Sequence, residues 1–181
     1  MKITSNLLLL AALILLITSC KPSRDKMLTR IEGMEESMKV MRPPDTVKLA
    51  KLAVAYEKFA QNYPQDSLAP EYLFKAGGID LSLNRVKQSI EMFRSVQTTY
   101  PAYRKAPECV FMQAFIYENS LHDLAKASQL YNEFIAKYPN HSMVADARNA
   151  LKYLGKPAEE MIRDFEAKNA ARADSLKAAG K

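Results

Sequence analysis

Residues 89–107, SIEMFRSVQTTYPAYRKAP, contain the pattern that decides the fold of this chain. Four side chains in this stretch follow one another at intervals of four, three and four residues: Ser89, Phe93, Val96 and Tyr100. This spacing places them on one stripe of an α-helix. Pro101 ends the helix, because proline has no amide hydrogen and disfavours helical geometry in the residue before it. Pro107 marks the start of the next helix, since the first helical turn accepts proline.

The same pattern occurs three times along the chain. The stripe ends each time in a Tyr-Pro pair, and the three pairs are Tyr63-Pro64, Tyr100-Pro101 and Tyr138-Pro139. The stripes of the first and third copies are Leu52, Tyr56, Phe59, Tyr63 and Ala127, Tyr131, Phe134, Tyr138. No segment alternates between apolar and polar residues as a strand would. The sequence therefore predicts an all-α fold, with helices at about 46–62, 69–83, 85–99, 106–120, 124–137 and 143–153.

Polar residues stand where several of these helices should begin. Side-chain oxygens of Asp, Asn and Ser can accept hydrogen bonds from the first free amides of a helix. The predicted N-caps are Asp45, Asn84, Asp123 and Ser142. Pro70 marks the first turn of the helix at 69–83, as Pro107 does one copy later.

Two copies of the pattern resemble the tetratricopeptide repeat. The first, which runs from about Pro70 to Pro101, matches that family at Ala76-Gly77, Ser89, Phe93 and Pro101, and the second matches at Phe111, Ala114, Ala127, Tyr131 and Pro139. The resemblance spans residues 46–153. It implies a short solenoid of helix-turn-helix pairs, flanked by N- and C-terminal helices, that binds extended or helical peptides in a concave groove. The period of 37 to 38 residues exceeds the usual 34, and Phe134 replaces a usual small residue.

In that family the first helix of each pair lines the concave side. The corresponding segments here are residues 72–75 and 111–117. Side chains on these helices that lie off the apolar stripe should be exposed and unnecessary for folding. The candidate partner-binding residues are Glu71, Lys75, Gln113 and Tyr117.

The N-terminus has the pattern of a secretory signal. Lys2 is followed by an apolar run at residues 7–17, which is too short to span a bilayer as a helix. The tetrad Ile17-Thr18-Ser19-Cys20 follows and resembles the lipobox of bacterial lipoproteins at all four positions. The resemblance implies that residues 1–19 are removed and that Cys20 carries the lipid. In the best-studied bacteria, an aspartate directly after the lipidated cysteine retains a lipoprotein at the inner membrane. Lys21 occupies that position here, so the resemblance favours the outer membrane. The alternative is an ordinary signal peptide with an incidental cysteine.

The lipobox, the long period and the Phe-x3-Tyr-Pro endings together resemble the repeat lipoproteins of the bacterial outer membrane. This subset includes the D subunit of the β-barrel assembly machinery and the coordinator protein of the Tol-Pal system. It implies a non-enzymatic, membrane-anchored periplasmic scaffold that binds another envelope protein, for example in β-barrel assembly. Two alternatives stay open. One is a periplasmic holdase for barrel precursors, and the other is a lipoprotein that pilots secretins or coordinates division.

The repeats are flanked by a segment on each side. The predicted organisation is a signal peptide at 1–19, a lipid anchor and capping helix at 20–44, the repeats at 45–155, and a helical extension at 156–181. An apolar seam recurs at Met27, Ile31, Met34, Met38 and Met41, and it either caps the helix at 46–62 or docks a partner. Met161, Ile162 and Phe165 should pack the start of the last helix onto the repeats.

The sequence shows no catalytic constellation, and neither a metal nor a cofactor is expected. His122 and His141 lie in predicted turns without a second ligand at zinc spacing. The formal charge of +6 becomes +5 without Lys2. This excess either suits contact with anionic headgroups or an acidic partner or is an ordinary solvated surface, and no nucleic-acid partner is expected in the envelope. Cys109 has an apolar setting and is expected to be a buried thiol. Glu35-Glu36 and Glu159-Glu160 are expected to be solvated.

Overall fold

The computed structural model describes residues 22–39 and 45–179, and these residues form eight α-helices and no strand. The helices are α1 (Arg24–Lys39), α2 (Thr46–Asn62), α3 (Ala69–Ser82), α4 (Val86–Thr99), α5 (Ala106–Asn119), α6 (Leu124–Lys137), α7 (Val144–Tyr153) and α8 (Ala158–Ala179). The predicted all-α class is confirmed. The six predicted helices are all present, with ends that differ by at most one residue.

The chain divides into two compact units, and the division lies between Leu83 and Asn84. In the first unit, α1 packs on α2, and α2 packs on α3. In the second unit, α4 packs on α5, α5 on α6, and α6 on α7. Each helix from α1 to α7 thus packs on a neighbour in sequence, as short connections favour.

The three Tyr-Pro turns share one pattern of backbone hydrogen bonds. In each turn the tyrosine N–H donates to the carbonyl four residues earlier, and two further N–H groups donate to the carbonyl three residues earlier, all at 2.8–3.0 Å. The donors are Tyr63, Asp66 and Ala69, then Tyr100, Tyr103 and Ala106, then Tyr138, His141 and Val144. Since the middle donors are Asp, Tyr and His, the backbone and the Tyr-Pro pair set this turn rather than any one side chain.

Two of the four predicted N-caps are confirmed. The Asp45 carboxylate accepts from the amides of Val47 and Lys48 at 2.9 and 3.1 Å. The Asp123 carboxylate accepts from the amide of Lys126 at 2.9 Å. Each carboxylate satisfies amides that have no partner inside the helix.

The predictions for Asn84 and Ser142 are wrong. Asn84 has a left-handed backbone with φ of 57° and lies in the turn before α4, and Arg85 is the cap position. Asparagine tolerates this conformation better than most residues. At the start of α7 the cap position is Met143, whose amide donates to Nδ1 of His141 at 3.2 Å.

The repeated stripe forms the core of the helices. Its aromatic and aliphatic members are almost fully buried: Tyr56, Phe59, Phe93, Val96, Tyr131 and Phe134. In the second unit, Phe111 lies edge-on to the rings of Tyr131 and Phe134, with centroids 5.4 and 5.8 Å away. Offset and edge-on rings stabilise such a core beyond the area that they bury.

The capping interpretation of the first flank is confirmed. Ile31 is only 1% exposed beneath α1, and Met27, Met34 and Met38 are half-buried on the same face. The Tyr63 hydroxyl also donates to the Pro22 carbonyl at 2.6 Å. Met41 lies outside the described residues.

The prediction for the last helix is wrong. Met161, Ile162 and Phe165 are 47, 56 and 65% exposed. Ion pairs between exposed side chains connect α8 to the chain before it: Asp164 binds Lys152 of α7, and Glu160 binds Lys156. These contacts place Asp164 beside α7, while Met161, Ile162 and Phe165 are not buried against it.

Candidate partner-binding surfaces

Lys75 of α3 lies in a cluster with residues of α1 and α2. Its Nζ is 2.9 Å from Glu35 Oε1, and the same carboxylate oxygen accepts a hydrogen bond of 2.5 Å from the Tyr56 hydroxyl. The ammonium also lies over the rings of Tyr56 and Tyr72, 5.5 and 5.7 Å from their centroids. The two rings are stacked with centroids 4.8 Å apart. Lys75 therefore helps to hold α1 onto α2 and α3.

The titration of this cluster reflects its contacts. Burial acts to raise the pKa of Glu35, but the hydrogen bonds from Tyr56 and Lys75 outweigh burial and leave that pKa below its usual range. Burial and the Glu35 carboxylate together raise the pKa of Tyr56. At neutral pH Glu35 is therefore ionised and Tyr56 is protonated.

These contacts correct two expectations. Glu35 is half-buried and bonded on two sides, so it does not belong to a solvated acidic face; the next residue, Glu36, does. Glu35 follows Ile31 by four residues, and this spacing is the signal that could have placed it on the packed face. Lys75 was expected to be unnecessary for folding, but its ammonium group contacts Glu35 of α1 and Tyr56 of α2.

Gln113 was expected at the surface, but it is only 3% exposed. Its side-chain amide donates to Gln97 Oε1 of α4 at 2.8 Å and to the Cys109 carbonyl at 3.0 Å. The Gln97 amide in turn donates to Glu133 of α6 at 3.2 Å. The expectation that Gln113 is exposed is thus wrong, and this chain of hydrogen bonds joins three helices. Ala114, the small residue of the repeat, directly follows Gln113. A small residue at this position indicates that this side of α5 is buried.

The other two candidates are half-buried. Tyr117 packs against the apolar cluster of the second unit, and Glu71 lies in the first turn of α3. The sequence missed Phe115, an aromatic side chain on α5 that is 41% exposed. A partner role for the four predicted residues stays a prediction. Phe115 is the exposed large apolar side chain of α5.

Cys109 and His141, two side chains that could act as a nucleophile or a ligand, are packed against other residues. Cys109 is fully buried, and burial raises the pKa of its thiol to about 12, as expected for an inert cysteine. His141 packs its ring on Phe134, with centroids 5.3 Å apart. Within residues 22–39 and 45–179, no group of three or more His, Cys, Asp or Glu side chains could hold a metal ion.

The N-terminal predictions concern residues outside the described ranges. The signal at 1–19, the lipid site Cys20 and the turn at Pro43-Pro44 all belong there. In the part of the chain that is described, no helix combines the length and apolar character needed to cross a membrane.

A comparison with known protein families identifies one repeat in the chain. Residues 108–141 match the family model described as Tetratricopeptide repeat. This stretch covers most of α5, all of α6 and the Tyr138-Pro139 turn. A comparison with curated proteins finds no significant match. The chain is an all-helical protein with a tetratricopeptide repeat, a module that supports binding to other proteins.

Proposed function

We propose that this chain is a non-enzymatic scaffold that binds another protein of the bacterial envelope. The tetratricopeptide repeat at residues 108–141 carries the proposal. Repeats of this kind stack helix pairs into surfaces for peptides and helices and are typically non-catalytic. The buried Cys109 and the engaged histidine His141 agree with a binding role.

The location of the scaffold is part of the proposal. We propose that a lipid on Cys20 anchors the chain to the outer membrane and that the repeats face the periplasm. The support is the tetrad at residues 17–20 after a short apolar run. The pathway that we favour is assembly of outer-membrane β-barrel proteins, which rests on the resemblance of the Phe-x3-Tyr-Pro endings.

The binding surface that we propose is the exposed side of α5. Phe115 is exposed there while its neighbours Ala114 and Ile116 are buried, so Phe115 can be changed without opening the core. Exposed aromatic side chains are frequent anchors of protein interfaces.

Crosslinking in intact cells tests the proposal. A photoreactive amino acid replaces Phe115 in one strain and Arg94, an exposed residue of α4, in a control strain. We expect one adduct of defined mass from position 115 and none from position 94. A mixture of barrel precursors at position 115 would instead identify a holdase, and no adduct there would exclude this side of α5 as the site.

A further inference from the structure

The terminal helix α8 is held by its polar side and exposes an apolar side. Asp164 binds Lys152 and accepts a hydrogen bond from the Tyr153 hydroxyl at 3.1 Å, and Glu160 binds Lys156 at 2.7 Å. Met161, Ile162 and Phe165 lie next to these acids in sequence and are about half exposed or more. The large apolar side chains of α8 are thus left largely in solvent while its acidic side chains make the ion pairs.

An open cleft lies beside this apolar side. Its apolar lining is Leu124 of α6, Ala150 and Tyr153 of α7, and Met161 and Phe165 of α8. The cleft has a volume of about 540 Å³. This volume suits one or two large apolar side chains of a partner. The lining is continuous with the core of the second unit, because Ala150 packs against that core.

Basic side chains continue the apolar side along the helix. Met161, Phe165, Lys168 and Arg172 follow one another at intervals of four, three and four residues, and we call these four the α8 stripe. Lys168 also lines the cleft. Within residues 45–179, no carboxylate lies at ion-pair distance from Lys168 or Arg172. The α8 stripe is therefore apolar at Met161 and Phe165 and cationic at Lys168 and Arg172. Neither cation has an ion-pair partner among residues 45–179.

We propose that the α8 stripe and its cleft dock an amphipathic helix of a partner protein whose apolar side chains are followed by carboxylates. The apolar side chains fill the cleft against Tyr153 and Phe165, and the carboxylates pair with Lys168 and Arg172. This surface goes beyond the function proposed above, because it lies on α8, outside the matched repeat.

The charges favour this occupant over two others. A second copy of the chain fits poorly, because parallel stripes oppose cation to cation and antiparallel stripes oppose cation to apolar side chain. An anionic membrane also fits poorly, because a flat layer of headgroups places no side chain in the cleft beside Tyr153 and Phe165.

Binding of two designed helical peptides to the purified protein tests the proposal. Both peptides carry the same pair of leucines four residues apart, flanked on both sides by Glu in one peptide and by Lys in the other. Fluorescence anisotropy should show at least tenfold tighter binding of the acidic peptide. Equal binding of both peptides, or no binding of either at millimolar concentration, overturns the proposal.

Matched variants locate the site. Lys168→Glu should weaken binding of the acidic peptide about tenfold, while Arg163→Glu, the same charge change on the opposite side of α8, should leave it within twofold. Phe165→Ser should weaken binding, while Val47→Ser, which removes a similarly exposed side chain from α2, should not. Equal losses in the two charge variants would overturn the site.

Two further measurements separate the other occupants. Sedimentation velocity should show the same monomer for wild type and Phe165→Ser. A dimer that Phe165→Ser dissociates would make a second copy the occupant and overturn the proposal. Binding to phosphatidylglycerol vesicles without binding to the acidic peptide would overturn it in favour of a membrane.

Discussion

The Tyr131 hydroxyl donates a hydrogen bond of 2.8 Å to Glu118, joining α6 to α5 across the matched repeat. In the other unit the Tyr56 hydroxyl donates to Glu35 and joins α2 to α1 in the same way. The copy between them has Phe93 at the tyrosine position and Leu81 at the glutamate position, eleven residues after Pro70 as Glu118 follows Pro107. Hydroxyl and carboxylate are thus present together or absent together, as expected where a buried hydroxyl needs an acceptor.

This relationship predicts strong coupling between Tyr131 and Glu118. Glu118→Leu should lower the free energy of unfolding by about 1–2 kcal/mol, because it leaves a buried hydroxyl without an acceptor. Adding Tyr131→Phe should restore part of that loss, with a coupling of about 1 kcal/mol in a double-mutant cycle. Urea denaturation of the four proteins measures the coupling. Strictly additive losses would show that the hydrogen bond contributes nothing.

Phe93 should be among the residues whose truncation costs most stability. The side chain is 1% exposed, so Phe93→Ala should lower the free energy of unfolding by about 3–5 kcal/mol. Phe115→Ala is the matched control, since this phenylalanine is exposed and should cost about 0.5 kcal/mol or less. Guanidinium denaturation compares them, and similar losses at both positions would contradict the assigned stripe.

Glu35 should make the docking of α1 depend on pH. Its pKa is lower in the folded chain than the ordinary value of 4.5. The stabilisation is therefore present above the unfolded pKa and is lost as the pH falls through the folded pKa. Unfolding of wild type should show a loss below about pH 4.5 that is smaller in Glu35→Gln. Glu36→Gln, which changes the exposed neighbouring carboxylate, should keep the wild-type profile, and a Glu35→Gln profile identical to wild type would refute this role.

Cys109 should be unreactive in the folded protein. Its pKa of about 12 leaves almost no thiolate at pH 8, and the side chain is fully buried. In a Cys20→Ser background, a thiol-exchange reagent should modify Cys109 at least a hundredfold more slowly in buffer than in 6 M guanidinium. Comparable rates would mean that the second unit opens readily around α5.

Cys20 should carry the lipid anchor. Cells grown with an alkyne fatty acid should label the wild-type chain, while Cys20→Ala should take up no label and leave the membrane fraction. The reason is the tetrad at residues 17–20 after a short apolar run. Cys109→Ala serves as the control and should be labelled like wild type. An unlabelled wild-type chain would refute lipidation.

Local rules in the sequence were sufficient to predict the helices. Each Tyr-Pro pair ends a helix because proline cannot donate the next hydrogen bond, and Pro70 and Pro107 lie in first turns. The stripe that ends at Tyr100 predicted the burial of Phe93 because spacings of four and three residues define one helical face. The caps were less predictable, since Asn84 suits both an N-cap and a left-handed turn.

The sequence by itself determined the helices, their apolar stripes and one tetratricopeptide repeat, because these depend on spacing along a single helix. Only the tertiary structure decided which polar side chains are buried. Gln113 is buried and bonded to Gln97 on another helix, which in turn donates to Glu133, and Glu35 is half-buried with Tyr56 and Lys75 bonded to its carboxylate. The contact of Asp164 with Lys152, twelve residues apart, likewise belongs to the tertiary structure, because no periodicity within one helix can reveal such a pairing.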